Sequence, residues 1–187
     1  LSGRQSPRRY RSEQGDFSMG YRFLGKARLK VSAIGYGCPP FQGKLSDVDE
    51  KQALAVLQRA IDNGMNFIDT ADHNNGNNEE LLGRGLKPRR GEVVLATKFG
   101  NLRGQPWANG REVEGRPEYV AWACDNSLRR LQSDYIDLYY LHRVDPKIPI
   151  EETVGAMKRL VEQGKVRHLG LSEAGPATLR RANQIGR

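Results

Sequence analysis

The chain contains a short apolar run that ends in a carboxylate, within the stretch Asn66-Phe67-Ile68-Asp69-Thr70-Ala71-Asp72-His73-Asn74-Asn75-Gly76-Asn77-Asn78-Glu79-Glu80-Leu81-Leu82-Gly83. The pattern predicts a strand that ends at Asp69, a loop of small amide side chains, and a helix that begins at Asn78. Many α/β enzymes hold catalytic side chains at the carboxyl ends of strands. The alternative is that Asp69 only caps a turn.

Strand and helix patterns alternate five times along the chain, after a predicted β-hairpin at residues 21–31. Near-continuous apolar strands in such a series are typical of a parallel sheet, so the fold class is α/β. The sheet could close into a barrel or stay open and doubly wound, but a G-x-G-x-x-G fingerprint is missing after the first strand, which weakens the second alternative. The predicted strands are 33–37, 67–68, 93–98, 135–141 and 166–171, and the helices start near residues 46, 78, 117, 150 and 176.

Composition indicates a globular domain of ordinary size with a basic tail. The chain has 187 residues, 37% of them hydrophobic, and a net charge of +8. Residues 1–30 hold eight basic and two acidic side chains, so most of the excess charge lies at the front of the chain. We therefore expect residues 1–18 to be either a disordered basic tail or a start-site artefact, with a folded domain over 19–187 and no nucleic-acid face. No apolar run approaches the roughly 20 residues that span a membrane.

The two cysteines, Cys38 and Cys124, match no disulfide or metal-ligand spacing. The sequence therefore predicts reduced thiols, a cytoplasmic location and no metal site.

Four successive strands after the first end in polar side chains, at Asp69, Lys98, His142, and Ser172 with Glu173. In a parallel barrel these ends meet on one rim. Together they suit proton transfer at a carbonyl group, with an Asp–Lys ion pair that holds a cation in place and a histidine that orients the substrate oxygen. Taken singly, Lys98 could be a solvated charge and His142 an ordinary core histidine.

Five segments around the strand ends are specific in combination. They are Phe67-Ile68-Asp69-Thr70-Ala71-Asp72, Asn78-Glu79-Glu80-Leu81-Leu82-Gly83, Thr97-Lys98-Phe99-Gly100, Asp134-Tyr135-Ile136-Asp137-Leu138-Tyr139-Tyr140-Leu141-His142 and Gly164-Lys165-Val166-Arg167-His168-Leu169-Gly170-Leu171-Ser172-Glu173-Ala174. These segments resemble the aldo-keto reductases, in the branch of perakine reductase and similar plant and bacterial enzymes. The resemblance implies a (β/α)8 barrel of the TIM type that binds NADP(H) and reduces small aldehydes or ketones to alcohols. The chain would supply only the first five β/α units, preceded by the hairpin.

The resemblance assigns catalytic roles to three strand ends. Asp69 and Lys98 match the pair that lowers the pKa of a catalytic tyrosine, and His142 matches the residue that orients the carbonyl group. The tyrosine itself is missing, because Asn74 stands at its position and an amide cannot donate a proton to a developing alkoxide. Loss of a positioned general acid costs roughly 10²–10⁴-fold in rate. His73 is the neighbouring group that could substitute.

On the cofactor side, the resemblance assigns a nicotinamide-carboxamide contact to Ser172. Glu173 occupies the adjacent position, where many members of the family have asparagine. Gly37, at the end of the first strand, has no side chain and is expected to let the cofactor come close to the backbone. Asp69 is expected to contact the cofactor in addition to its role in the catalytic pair.

Five β/α units leave two open sheet edges, which favour self-association. The resemblance places the residues that hold the cofactor's phosphates in later units. The alternative function is therefore a catalytically impaired, reductase-like scaffold or binding subunit.

Overall fold

The computed structural model describes residues 19–25, 28–38, 47–72, 76–103, 105 and 108–185. The predicted basic tail, residues 1–18, lies outside these ranges. Within them the order of strands and helices follows the predicted alternation. A 3₁₀ segment, Lys87–Glu92, leads from α2 into β5. The strands and helices are β1 Tyr21–Leu24, β2 Leu29–Ser32, β3 Tyr36–Gly37, α1 Asp47–Asp62, β4 Phe67–Asp69, α2 Asn77–Leu86, β5 Val94–Phe99, α3 Pro117–Leu131, β6 Ile136–Leu141, α4 Ile150–Glu162, β7 Val166–Leu171 and α5 Pro176–Ile185.

The main sheet has five parallel strands in the order β3-β4-β5-β6-β7, the order in which they occur in the chain. The predicted hairpin is confirmed, since β1 and β2 pair antiparallel as a separate two-stranded sheet. The predicted first strand of the main sheet was too long. Residues 33–35 are outside it, and only Tyr36 and Gly37 pair with β4.

The helices cover one face of the sheet and build the core with it. In α4 the buried side chains recur every three or four residues, which places Ile150, Val154, Met157 and Leu160 on one stripe toward the sheet. Pro117 opens α3, where its missing N–H removes no helical hydrogen bond. Gly64 and Gly164 follow α1 and α4 with φ of 86° and 74°, the left-handed conformation that ends helices.

Strand β7, at one edge of the main sheet, is incompletely covered. Its residues after Val166 are only half-buried or exposed. A cavity of about 700 Å³ lies along it, lined by residues of β6, β7, α4, α5 and the hairpin. Within the described ranges, no helix has the length and apolar character needed to cross a membrane.

Close packing of α2 on α3 depends on Gly83. A Cβ atom at this position would overlap the carbonyl oxygen of Arg130 and would lie 2.9 Å from the carbonyl carbon of Leu131. Both neighbours are backbone atoms of α3, so a side chain could be accommodated only if the two helices moved apart.

We expect Gly83→Ala to lower the free energy of unfolding by roughly 1–3 kcal/mol, as overpacking does. Gly155→Ala is the matched control, because Gly155 is also helical and a Cβ there would meet nothing within 4 Å. That substitution should be neutral or stabilising by up to about 1 kcal/mol. Urea unfolding of the two variants beside the parent chain measures both effects, and equal changes would contradict the packing argument.

Candidate functional site

The ammonium group of Lys98 joins the carboxyl ends of β4 and β5. Its Nζ donates to both carboxylate oxygens of Asp69 at 2.5 Å and to the carbonyl oxygen of Thr70 at 2.9 Å. The Lys98 side chain is 17% exposed and that of Asp69 35%. The ammonium has three hydrogens, and three acceptors surround it. The pair expected from the sequence is therefore formed, and Lys98 is not a solvated charge at a strand end.

Backbone hydrogen bonds carry the parallel pairing beyond the strand ends and position the other predicted residues. The N–H of His142 donates to Phe99 O at 2.8 Å, and the N–H of Ser172 donates to Leu141 O at 2.9 Å. Asp69, Lys98, His142 and Ser172 thus lie at the same end of neighbouring strands. His142 is half-buried and follows β6, between the ends of β5 and β7.

The remaining predicted cofactor residues are placed differently. The exposed carboxylate of Glu173 forms an ion pair with the guanidinium of Arg143, and Glu173 has a φ of 51°, which is uncommon for a residue with a side chain. Gly37 pairs in register with Asp69. A Cβ at Gly37 would meet nothing within 4 Å, so no described protein atom packs against this glycine. The close approach occurs at Gly35, where a Cβ would lie 2.9 Å from the Phe67 ring.

The register shows a neighbour that the sequence analysis missed. Lys98 pairs with Tyr140 of β6, and Tyr140 pairs with Gly170 of β7, so the three lie side by side on the face opposite the helices. Lys98 Nζ is 5.8 Å from the centroid of the Tyr140 ring. The spacing from His142 could have found it, because side chains two residues apart in a strand point to the same face.

Three independent comparisons with known proteins agree on the relationship of this chain. The model of the aldo/keto reductase family matches residues 33–186. A probable aldo-keto reductase 1 from Glycine max is 48% identical over 167 residues, which are 87% of this chain and 47% of that protein.

The chain belongs to the aldo/keto reductase family.

Solved aldo-keto reductases share its fold. The holo form of AKR11C1 from Bacillus halodurans superposes with a TM-score of 0.79 at 38% identity, over 90% of this chain and 55% of that one. An aldo/keto reductase from Klebsiella pneumoniae, in complex with NADP and acetate, gives 0.69 at 36% identity, over 86% and 52%. The chain therefore spans about half the length of these relatives, and its parallel strands form part of a TIM barrel.

Asp72, in the loop that follows the Asp69 strand, is held by hydrogen bonds of its backbone. Asp72 donates its N–H to Lys98 O at 3.0 Å and accepts at its carbonyl from Gln105 Nε2 at 3.0 Å. His73 and Asn74 lie outside the described residues. Beyond them, at Gly76, a Cβ would overlap Arg130 Cδ, so Arg130 packs directly on the glycine.

A buried ion pair attaches α2 to the sheet and to α3 just after this loop. The fully buried carboxylate of Glu79 accepts from Thr97 Oγ1 at 2.7 Å and from Arg130 Nε at 2.7 Å. Thr97 precedes Lys98 in β5, so the two side chains point to opposite faces of the sheet. The helix-facing side of β5 thus carries the Thr97–Glu79 hydrogen bond, one residue along the strand from the Lys98–Asp69 pair on the opposite face.

Burial raises the pKa of two titratable groups beside the pair. Burial and the charge of Glu79 raise the pKa of the Asp72 carboxyl well above its usual range. Burial raises the pKa of the Cys38 thiol to about 11, against a hydrogen bond from Thr70 that lowers it. The thiolate is the reactive form, so Cys38 is a poor nucleophile at neutral pH. Among the described residues, no three His, Cys, Asp or Glu side chains are grouped as metal ligands would be.

Asp72→Asn should change stability in a pH-dependent way. The native carboxyl keeps its proton to a higher pH than the unfolded one, whose pKa is about 3.9. Between the two pKa values the unfolded chain binds fewer protons, so stability of the parent falls by about 1.4 kcal/mol per pH unit as pH rises. The amide of the variant does not titrate. The variant should therefore gain stability relative to the parent as pH rises above roughly 4, through the range between the two pKa values.

Urea unfolding of the parent and of Asp72→Asn across this range gives the difference directly. Asp134→Asn, at an exposed position, is the control for the loss of one negative charge. A difference between Asp72→Asn and the parent that does not change with pH would contradict a raised pKa of the Asp72 carboxyl.

Proposed function

We propose that this chain forms the strand-end half of an NADPH-dependent reductase site that converts aldehydes or ketones to alcohols. The contact between Lys98 and Asp69 carries the proposal, because it sets a half-buried cation at the rim where the strand ends meet. A cation fixed in advance stabilises negative charge that develops on a carbonyl oxygen during reduction. In this proposal His142 orients that oxygen from the end of the next strand.

The residues present fit the nicotinamide end of the cofactor. Gly37, next to Asp69 in register, leaves open space in which a flat ring can approach the backbone. The hydroxyl of Ser172, at the rim beyond β7, can hydrogen-bond a carboxamide, and Glu173 would lie beside it. A bound reduced nicotinamide supplies the hydride, and the protein residues supply orientation, charge and the proton. The cytoplasm, which keeps thiols such as Cys38 and Cys124 free, is the proposed location.

A titration of the chain with NADPH, followed by cofactor fluorescence, tests the proposal most directly. We expect saturable binding in the micromolar range and oxidation of NADPH when benzaldehyde is added. Lys98→Met should lower kcat by about 10²-fold or more, as the loss of one electrostatic contact to the transition state does. Lys147→Met is the matched control, since Lys147 is an exposed lysine of the loop between β6 and α4.

Absence of NADPH binding up to millimolar concentration would contradict the proposed function for this chain. Binding with full turnover in Lys98→Met would instead remove the Lys98–Asp69 pair from the mechanism. Light scattering on the same samples would show whether the uncovered β7 edge leads to self-association, which we propose as the means by which the chain covers that edge.

A further inference from the structure

The proposed reaction needs a proton donor, and Lys98 is already fully engaged. Its three hydrogens face three acceptors, the two carboxylate oxygens of Asp69 and the carbonyl of Thr70, all within 2.9 Å. A substrate oxygen could take a hydrogen bond from Lys98 only if one of these contacts broke. The pair therefore acts through its charge distribution, and the donor has to come from a neighbouring side chain.

Tyr140 is the phenol nearest to the pair on the same face of the sheet. Its register partner is Lys98, whose Nζ lies 5.8 Å from the ring centroid, within cation–π range. Its other partner, Gly170, has no side chain, and a Cβ there would overlap the ring atoms Cδ1 and Cε1 of Tyr140. The ring thus lies flat over Gly170 and stays beside the cation.

The phenol is reachable and protonated. Tyr140 is half-buried and lines the cavity of about 700 Å³ that lies along β7. Burial, followed by the negative charge of Asp69, raises the pKa of its hydroxyl above the ordinary value. A neutral phenol can donate to a developing alkoxide, which is the stronger base. The charged or titratable groups on this face around it are Asp69, Lys98, His142 and His168.

We propose that Tyr140 donates the proton to the carbonyl oxygen of the substrate in this chain. The inference rests on the proposed function and adds one residue to it. Hydride passes from the reduced nicotinamide of NADPH to the carbonyl carbon, the π pair of the C=O bond moves to oxygen, and the Tyr140 O–H bond breaks to protonate that oxygen. The products are the alcohol, NADP⁺ and the Tyr140 phenolate beside Lys98. Water then reprotonates the phenolate.

The adjacent tyrosine provides a matched control. Tyr139 is fully buried on the helix side, where its ring stacks on Phe99 with centroids 4.8 Å apart. Its hydroxyl has no hydrogen-bond partner among the described residues. Tyr139→Phe therefore removes the same oxygen atom from the same strand without reaching the cavity.

Turnover of the full chain with NADPH and benzaldehyde is the first measurement. Tyr140→Phe should lower kcat by roughly 10²–10⁴-fold, the contribution of a positioned general acid, with KM changed by less than about threefold. Tyr139→Phe should leave both constants at the parent values. Unchanged kcat in Tyr140→Phe would overturn the proposal.

A second measurement does not depend on turnover. In chain labelled with 3-fluorotyrosine, the ¹⁹F signal missing from Tyr140→Phe identifies residue 140. Its titration midpoint should rise in Lys98→Met, which removes a positive charge, and fall in Asp69→Asn, which removes a negative one. Benzaldehyde should shift the signal of residue 140 while that of residue 139 stays in place. If the chain shows no turnover but the titration midpoint of residue 140 shifts as expected, the proposed function is contradicted and the role of Tyr140 is not. A signal that neither variant nor benzaldehyde moves would overturn the role of Tyr140.

Discussion

The ammonium of Lys98 is the group on which the arrangement of the strand ends depends. A half-buried charge is stable only when protein groups replace its hydration. Here the Asp69 carboxylate and the Thr70 carbonyl do so, and both belong to the segment at the end of β4. The N–H of Cys38 then bonds the carbonyl of Asp69 at 2.8 Å, which ties the end of β3 to the same point. One cation thus aligns three strands at the rim.

Two neighbouring residues of β5, Thr97 and Lys98, lie on opposite faces of the sheet and make different kinds of contact. Thr97 points toward the helices, where it donates a hydrogen bond to Glu79, which is paired with Arg130, and Lys98 points to the open side. Breaking a buried pair such as Glu79–Arg130 costs about 3–5 kcal/mol, so this contact on the helix side resists movement of the strand. The Lys98–Asp69 pair therefore has a rigid base, which a preorganised electrostatic site requires.

Family membership and the strand ends agree with one another, although the chain spans about half the length of its relatives. The part it has contains the Lys98–Asp69 contact, His142 and Ser172 at one rim, with Tyr140 one layer below. Each of these positions comes from a parallel strand whose register is set by backbone hydrogen bonds. The proposed reductase site on this scaffold would thus follow from sheet geometry plus a few polar residues at strand ends.

The sequence by itself determined the hairpin, the order of strands and helices and the polar strand ends, because periodicity and helix stop signals are local. It overestimated the first strand of the main sheet, since pairing with β4 reaches only Tyr36 and Gly37. Tertiary structure alone decided that Tyr140 lies beside Lys98 and that burial next to Glu79 raises the pKa of Asp72. The physical reason is that register, burial and charge proximity arise between segments distant in the chain, and no local pattern encodes them.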